Sequence, residues 1–161
     1  MFSNPFVANI QDFFFKAMAK GWAPGGGEKF TIPQLPCYKA TEHRDGNFHL
    51  IDCYCKNPEY HGSSGFTTIY WKNNPVWVMN YDGECINQVT VMFLKDALSQ
   101  AYRRRQFCGG RGPWSVCSAG MIYINNAEQN DFEFFSGRET IHNAKTGTLL
   151  GHHAYQGRAL F

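Results

Sequence analysis

The feature of this sequence that most restricts its fold is a strand-turn-strand pattern over residues 66–83, FTTIYWKNNPVWVMNYDG. The Val, Ile, Thr, Tyr and Trp side chains in both runs favour extended backbone on a half-buried surface. Lys72-Asn73-Asn74-Pro75 between them favours a chain reversal, because Asn tolerates positive φ and Pro cannot donate to a strand ladder. The pattern predicts a β-hairpin in which Trp77, Met79 and Tyr81 share one face of the second strand.

In two other stretches the apolar residues recur at the spacing of an α-helix. Residues 6–18 carry an apolar stripe, for which Asn4 is a predicted cap and Gly21 a predicted end. Phe15 lies off this stripe, and we expect it to be exposed. Residues 91–102 form a second stripe, after which the cations of residues 103–105 suit the end of a helix.

The remaining runs are typical of strands. They lie at residues 37–43 and 47–55 around an Asp45-Gly46 turn, and at residues 119–155 after the second helix. The connections are too short for parallel crossovers, which indicates a mostly antiparallel sheet. We predict an α+β domain with a strongly curved sheet of about seven strands and two helices, in the order helix, four strands, helix, three or four strands. A partly closed β-barrel with flanking helices is the alternative.

The size and composition favour one globular domain over residues 1–161. The 43% hydrophobic and 17% charged content is that of an ordered core, and a net charge of +2 argues against nucleic acid as a partner for this chain alone. The longest apolar run, residues 13–15, is far short of the roughly 20 residues that a membrane helix needs. The N-terminus lacks the pattern of a signal peptide, so we expect a cytoplasmic protein with no membrane partner.

The six cysteines are expected to be reduced thiols that pack as small apolar groups, because a core of this size needs no disulfides. The chain has no Cys-x-x-Cys pair. His152 and His153 are adjacent, so in a strand they would point to opposite faces. We therefore predict neither a metal site nor a cofactor.

A candidate pocket follows from the strand alternation. Asp52 and Tyr54 share a face of one strand, and a carboxylate on an apolar strand must be paired, hydrogen-bonded or functional. Arg111 and Arg138 are its candidate partners. Aromatic walls with a few polar groups are typical of small-molecule sites. The predicted ligand-binding residues are Asp52, Tyr54, Trp77, Asn80, Tyr81 and Arg111. The alternative is that Trp77 and Met79 simply fill the core.

Other constellations stay open as alternatives. Residues 103–105 with Arg111 suit either an anion site or a solvated helix end. A small hydrolase or transferase would use a Cys/His pair or a carboxylate in the same cleft, with Cys108, Cys117, Glu133 and Glu139 as candidates. A protein-interaction module or homodimer would use an unpaired edge strand or Phe15.

Several motifs together carry a family likeness over nearly the whole chain. They are Gly25-Gly26-Gly27, residues 51–54 (IDCY), 75–83 (PVWVMNYDG), 93–98 (FLKDAL), 111–113 (RGP) and 132–139 (FEFFSGRE). In this order they resemble an uncharacterised bacterial domain of unknown function, found alone or behind the helix-turn-helix of XRE-type transcriptional regulators. This chain lacks the helix-turn-helix, and the resemblance implies the fold and a sensory or accessory role.

The expectation for function combines these points. It is a non-enzymatic domain that binds an unknown small molecule or protein partner through an aromatic-lined pocket around Trp77 and Tyr81, with Asp52 and Asn80 orienting the ligand.

Overall fold

The computed structural model describes residues 5–22 and 27–161, which form two helices and nine strands. The elements in chain order are α1 (Pro5–Gly21), β1 (Phe30–Thr31), β2 (Tyr38–Asp45), β3 (Phe48–Lys56), β4 (Gly62–Trp71), β5 (Asn74–Cys85), α2 (Gln88–Arg103), β6 (Ser115–Ser118), β7 (Met121–Asp131), β8 (Phe134–Asn143) and β9 (Leu149–Ala159). All strands join one antiparallel sheet, in the order β1-β2-β3-β4-β5-β9-β8-β7-β6. The edge strands β1 and β6 do not pair with each other, so the sheet formed by the described residues is open.

The predicted α+β class and antiparallel sheet are confirmed, but the predicted strand number and order were wrong. Five strands precede α2 and four follow it. Both extra strands are short edge strands: β1 has two residues and β6 has four, SVCS. Hydrogen bonds to the neighbouring strand keep these short segments extended, so their own sequences contain little indication of a strand. The barrel alternative is also wrong, because the sheet is not closed.

The central hairpin has a two-residue turn. β4 ends at Trp71, and Lys72 and Asn73 have φ of 49° and 66°, which is the geometry that matches the twist of antiparallel strands. Asn74 and Pro75 therefore begin β5 instead of forming the turn. Pro75 lies opposite Tyr70 where the register shifts, a position that tolerates its missing N–H.

The helix ends follow the local sequence. α1 ends at Gly21 as predicted, while its predicted cap Asn4 and loop residues 23–26 lie outside the described residues. α2 starts at an Asn87 cap, whose side chain accepts a hydrogen bond of 2.9 Å from the Thr90 N–H. Neither helix of the described chain has the length and hydrophobicity that crossing a membrane requires.

The core lies between the sheet and the two helices. Trp77 is fully buried there, stacked between Phe132 and Phe135 at ring distances of 5.3 and 5.2 Å, with Phe14 of α1 at 5.1 Å. Its indole N–H donates to the Phe132 carbonyl at 2.9 Å, so burial leaves no unpaired donor.

Phe15 is only 3% exposed, so the expectation that it is exposed was wrong. α1 packs against α2 as well as against the sheet, whereas a single apolar stripe predicts only one buried side. The Arg105 guanidinium lies 5.5 Å from the Phe15 ring and also pairs with Asp12. Phe15 therefore supports no surface for self-association.

The two halves of the sheet repeat one pattern. Gly65 begins GFTTIY on β4, and Gly137 begins GRETIH on β8. Tyr-x-Gly then recurs at residues 81–83 on β5 and 155–157 on β9. Each glycine lies opposite the tyrosine of its own half, and the two tyrosines lie opposite each other. The halves are thus related by a pseudo-two-fold axis between Tyr81 and Tyr155.

The repeat extends to hydrogen bonds. The Tyr81 hydroxyl crosses β4 and donates to Asp52 on β3 at 2.9 Å. The Tyr155 hydroxyl crosses β8 in the same way and donates to Asn125 on β7 at 2.6 Å. Both rings can lie flat over the intervening strand only because that strand has glycine there, since a Cβ on Gly65 would be 2.5 Å from the Tyr81 ring.

We predict that Gly65→Ala destabilises the protein by about 2 kcal/mol and lowers Tm by about 6 °C, because the added methyl group displaces Tyr81 from Asp52. Thermal and urea unfolding measure both quantities. Gly62→Ala on the same strand is the control, since its Cβ would meet nothing within 4 Å. Equal stability of the two variants would contradict the proposed packing role of Gly65.

Candidate functional site

A buried loop after α2 carries Arg111 to the sheet. Gly109 and Gly110 have φ of 66° and 74°, a region that side chains disfavour. The loop is fastened by Asn125, whose Nδ2 donates to the Cys108 and Gly112 carbonyls at 2.7 and 3.0 Å. The turn and these bonds deliver the Arg111 side chain into the space between α2 and the sheet.

Arg111 is 1% exposed and forms an ion pair with the equally buried Glu139 on β8. Its Nη2 donates to Glu139 Oε1 at 2.5 Å, and the Tyr123 hydroxyl donates to Oε2 at 2.5 Å. Burial disfavours the charged guanidinium, but the Glu139 carboxylate outweighs this effect and raises the pKa of Arg111. The group is therefore a permanent cation.

Two nitrogens of Arg111 are left over. Nε and Nη1 are buried and have no hydrogen-bond partner among the described residues. The guanidinium carbon lies 4.8 Å from the centre of the Tyr81 ring, which stabilises the charge but satisfies no N–H donor. A buried donor without a partner costs free energy, so these positions suit a bound molecule or water.

Asp52 lies beside this pair. Its Oδ1 accepts hydrogen bonds from the Thr67 hydroxyl at 2.8 Å and the Tyr81 hydroxyl at 2.9 Å. Burial raises the pKa of Asp52 despite these two bonds and the nearby Arg111 charge. Both bonds end on one oxygen, which leaves Oδ2 available to a ligand.

Two further buried polar groups complete the cluster. His153 Nδ1 lies 3.5 Å from Glu139 Oε1 without a hydrogen bond, and burial and the Arg111 charge lower the pKa of His153 to about 4. Ser99 Oγ on α2 also has no partner within the described chain. His153 is therefore neutral at pH 7, and both groups can bond to a ligand.

These groups border one large cavity, here called the Arg111 cleft, with a volume of about 1060 Å³. Its floor consists of the buried residues Asp52, Tyr81, Cys85, Ser99, Arg111 and His153. Its apolar walls are formed by Trp22, Tyr54, Val91, Met92 and Leu94. Its exposed rim carries Glu28, Lys29, Lys39, Lys56, His61, Lys95, Asp96 and Arg103. The volume is in the range of ligand-binding clefts.

Four of the six residues expected to bind a ligand line this cleft, namely Asp52, Tyr54, Tyr81 and Arg111. The other two do not. Trp77 lies in the core, four residues before Tyr81 on the same face of β5, and Asn80 is exposed on the opposite face. The sequence reasoning also missed His153 and Ser99.

The other sequence candidates lie elsewhere or are already bonded. Arg138 is exposed, and Glu139, not Asp52, is the direct partner of Arg111. Glu133 and Cys117 are exposed and do not line the cleft. All six cysteine thiols are free, and no group of three or more metal-ligating side chains is found within residues 5–22 and 27–161.

The missed residues were marked by the internal repeat. Aligning GFTTIY with GRETIH places Glu139 at the position of Thr67, and aligning the Tyr-x-Gly motifs places His153 at the position of Met79. Thr67 and Met79 lie on the same row of the sheet as Asp52. The alignment would therefore have placed Glu139 and His153 on the face that carries the site.

Replacing Asp52 tests its role as an acceptor. Asp52→Leu leaves two buried hydroxyl groups without a partner and should lower the free energy of unfolding by about 3 kcal/mol. Asp52→Asn keeps an oxygen for both bonds and should cost at most about 1 kcal/mol. Urea unfolding at pH 7 measures the difference, and equal losses would contradict the acceptor role.

The lowered pKa of His153 predicts a pH dependence. The unfolded chain takes up a proton near pH 6.5, whereas folded His153 resists it to about pH 4. Wild-type stability should therefore fall between pH 6.5 and 4 relative to His153→Gln, by up to roughly 3 kcal/mol. Urea unfolding measures the stability of both proteins across this range. The difference between the two proteins removes the contribution of the other titrating groups, which they share. A constant difference between them would show that His153 protonates normally.

A protein-family model described as "Domain of unknown function (DUF5680)" matches residues 52–159. The match covers 108 of the 161 residues and includes all six floor residues, beginning at Asp52 itself. No curated protein and no solved structure matches the chain. Because the family model covers more than half of the sequence, the protein belongs to the DUF5680 family of domains of unknown function.

Proposed function

We propose that this protein is a non-enzymatic binding domain that holds a small organic molecule in the Arg111 cleft. The observation that carries the proposal is that three floor residues of this cleft have buried polar atoms without partners among the described residues: Arg111 Nε and Nη1, Ser99 Oγ and His153 Nδ1. Folded proteins pair nearly all buried polar groups, and exceptions that share a cavity mark a place for a ligand.

The pseudo-symmetric position in the other half supports this proposal. Asn125 occupies the place of Asp52 there, and it binds the Cys108 and Gly112 carbonyls of the protein's own loop. Tyr155 likewise lies against Gly109. In the second half, this loop thus occupies the space beside the tyrosine. The corresponding space in the first half is the open cleft.

The groups of the cleft are poorly suited to nucleophilic catalysis. Burial and the Glu139 charge raise the pKa of the Cys85 thiol to about 11, and the pKa of His153 is lowered to about 4. An activated pair needs the opposite shifts, a thiolate beside an imidazolium. Glu139 is engaged by Arg111 and Tyr123 and does not line the cavity.

The biological role that fits is sensory or accessory. The sequence resembles a domain found behind the helix-turn-helix of XRE-type regulators, and on that resemblance the protein would bind a small effector and pass its occupancy to a partner. Six free thiols suit a reducing compartment, so the cytoplasm is the proposed location.

Filling the cleft tests this function. The neutral dye Nile red should gain fluorescence with the wild-type protein, and Ser99→Phe, which projects a ring into the cavity, should weaken its affinity about tenfold or more. Asn80→Phe adds the same ring on the opposite face of the sheet and serves as the control. Absence of Nile red binding by the cooperatively folded wild type, or equal binding by both variants, would overturn the proposal.

A further inference from the structure

We infer that the molecule held in the Arg111 cleft is an organic monocarboxylate, whose carboxylate binds Arg111 while an apolar body lies against α2. This inference rests on the proposed function and adds the chemical class of the ligand.

The free groups at the floor select an acceptor. Arg111 Nε and Nη1 carry only N–H donors, because a guanidinium cannot accept a hydrogen bond. The Ser99 hydroxyl on α2 offers one more donor to the same cavity. A carboxylate presents two acceptor oxygens and forms charge-assisted bonds with a guanidinium, which are stronger than bonds to a neutral group.

The rim attracts an anion. Its exposed side chains include five cations and two carboxylates. Lys29 is held at the rim by its hydrogen bond of 3.0 Å to the Tyr54 hydroxyl. A cleft lined by excess positive charge concentrates anions from solution, so charge selects the ligand before it reaches Arg111.

The floor limits the ligand to a single negative charge. The one guanidinium on the floor is already paired with Glu139, and the Asp52 carboxyl belongs to the same floor. A doubly charged phosphate would bring a second uncompensated charge into this buried space, which is costly. A monocarboxylate adds only one, shared with Arg111 and the Ser99 hydroxyl.

The walls accept an apolar body. Val91, Met92 and Leu94 line the cleft from α2, and Trp22 and Tyr54 line it from the other side. The cavity of about 1060 Å³ is far larger than a carboxylate alone needs. The ligand is therefore amphipathic, with one polar end.

Three probes with the same aromatic body test the chemical class of the ligand with the wild-type protein. They are naphthalene-1-acetate, the neutral naphthalene-1-acetamide, and the dianion naphthalen-1-ylmethyl phosphate. Calorimetric titration at pH 7.5 should show the carboxylate binding at least about tenfold tighter than the amide, and tighter than the phosphate. Equal affinity for carboxylate and amide in a protein that binds Nile red would overturn the ligand class and leave the proposed function standing. Tighter binding of the phosphate would overturn the single-charge argument. Failure of both Nile red and the carboxylate to bind would overturn both proposals.

The double variant Arg111→Met/Glu139→Gln tests the anchor, because it removes both members of the ion pair together and leaves neither of them buried without its partner. It should lose the preference for carboxylate over amide while still binding Nile red. Lys95→Met at the rim is the control and should weaken carboxylate binding only about two- to threefold, since its charge is exposed. Arg111→Lys keeps the charge and should retain part of the preference, which provides a second test where the double variant does not fold. A full preference for the carboxylate in both Arg111 variants would show that another group is the anchor.

Discussion

The buried ion pair between Arg111 and Glu139 is the interaction on which the rest of the site depends. It joins the loop after α2 to β8, at a point where both side chains are almost fully removed from water. Such a pair is stable only when its geometry is good and its remaining polar atoms are bonded. The Tyr123 hydroxyl satisfies the second oxygen of Glu139. On the arginine side the bonding is incomplete, and that incomplete bonding faces the cleft.

The pseudo-two-fold repeat explains where this cleft comes from. Each half lays a tyrosine across a glycine and bonds it to an acceptor two strands away. In the second half, the residue 108–113 loop packs on this arrangement through Asn125. In the first half, no described loop takes the corresponding place, so Asp52 and Tyr81 face a cavity. The residue 108–113 loop thus covers the second half and also supplies the Arg111 cation to the cleft of the first half.

Local sequence was enough to predict much of the scaffold. The central hairpin, both helices and the shared face of Asp52 and Tyr54 follow from side-chain periodicity and turn chemistry, which act over a few residues. The short edge strands β1 and β6 did not follow, because the ladder of a neighbour, and not their own hydrophobicity, makes them extended. Phe15 was misplaced for a related reason, since it is buried in the tertiary structure beside Arg105, which is 90 residues away in the chain.

The sequence by itself determined the α+β class, the antiparallel pairing and the requirement that Asp52 be hydrogen-bonded if buried, because each depends on the chemistry of nearby residues. Only the tertiary structure decided which groups meet. Arg111 pairs with Glu139, 28 residues away, and His153 and Ser99 join them from β9 and α2. These meetings depend on how two half-sheets and a glycine-rich loop pack together in space. No local pattern predicts that geometry, because the burial that shifts the pKa values of Asp52, Cys85 and His153 exists only in the assembled fold.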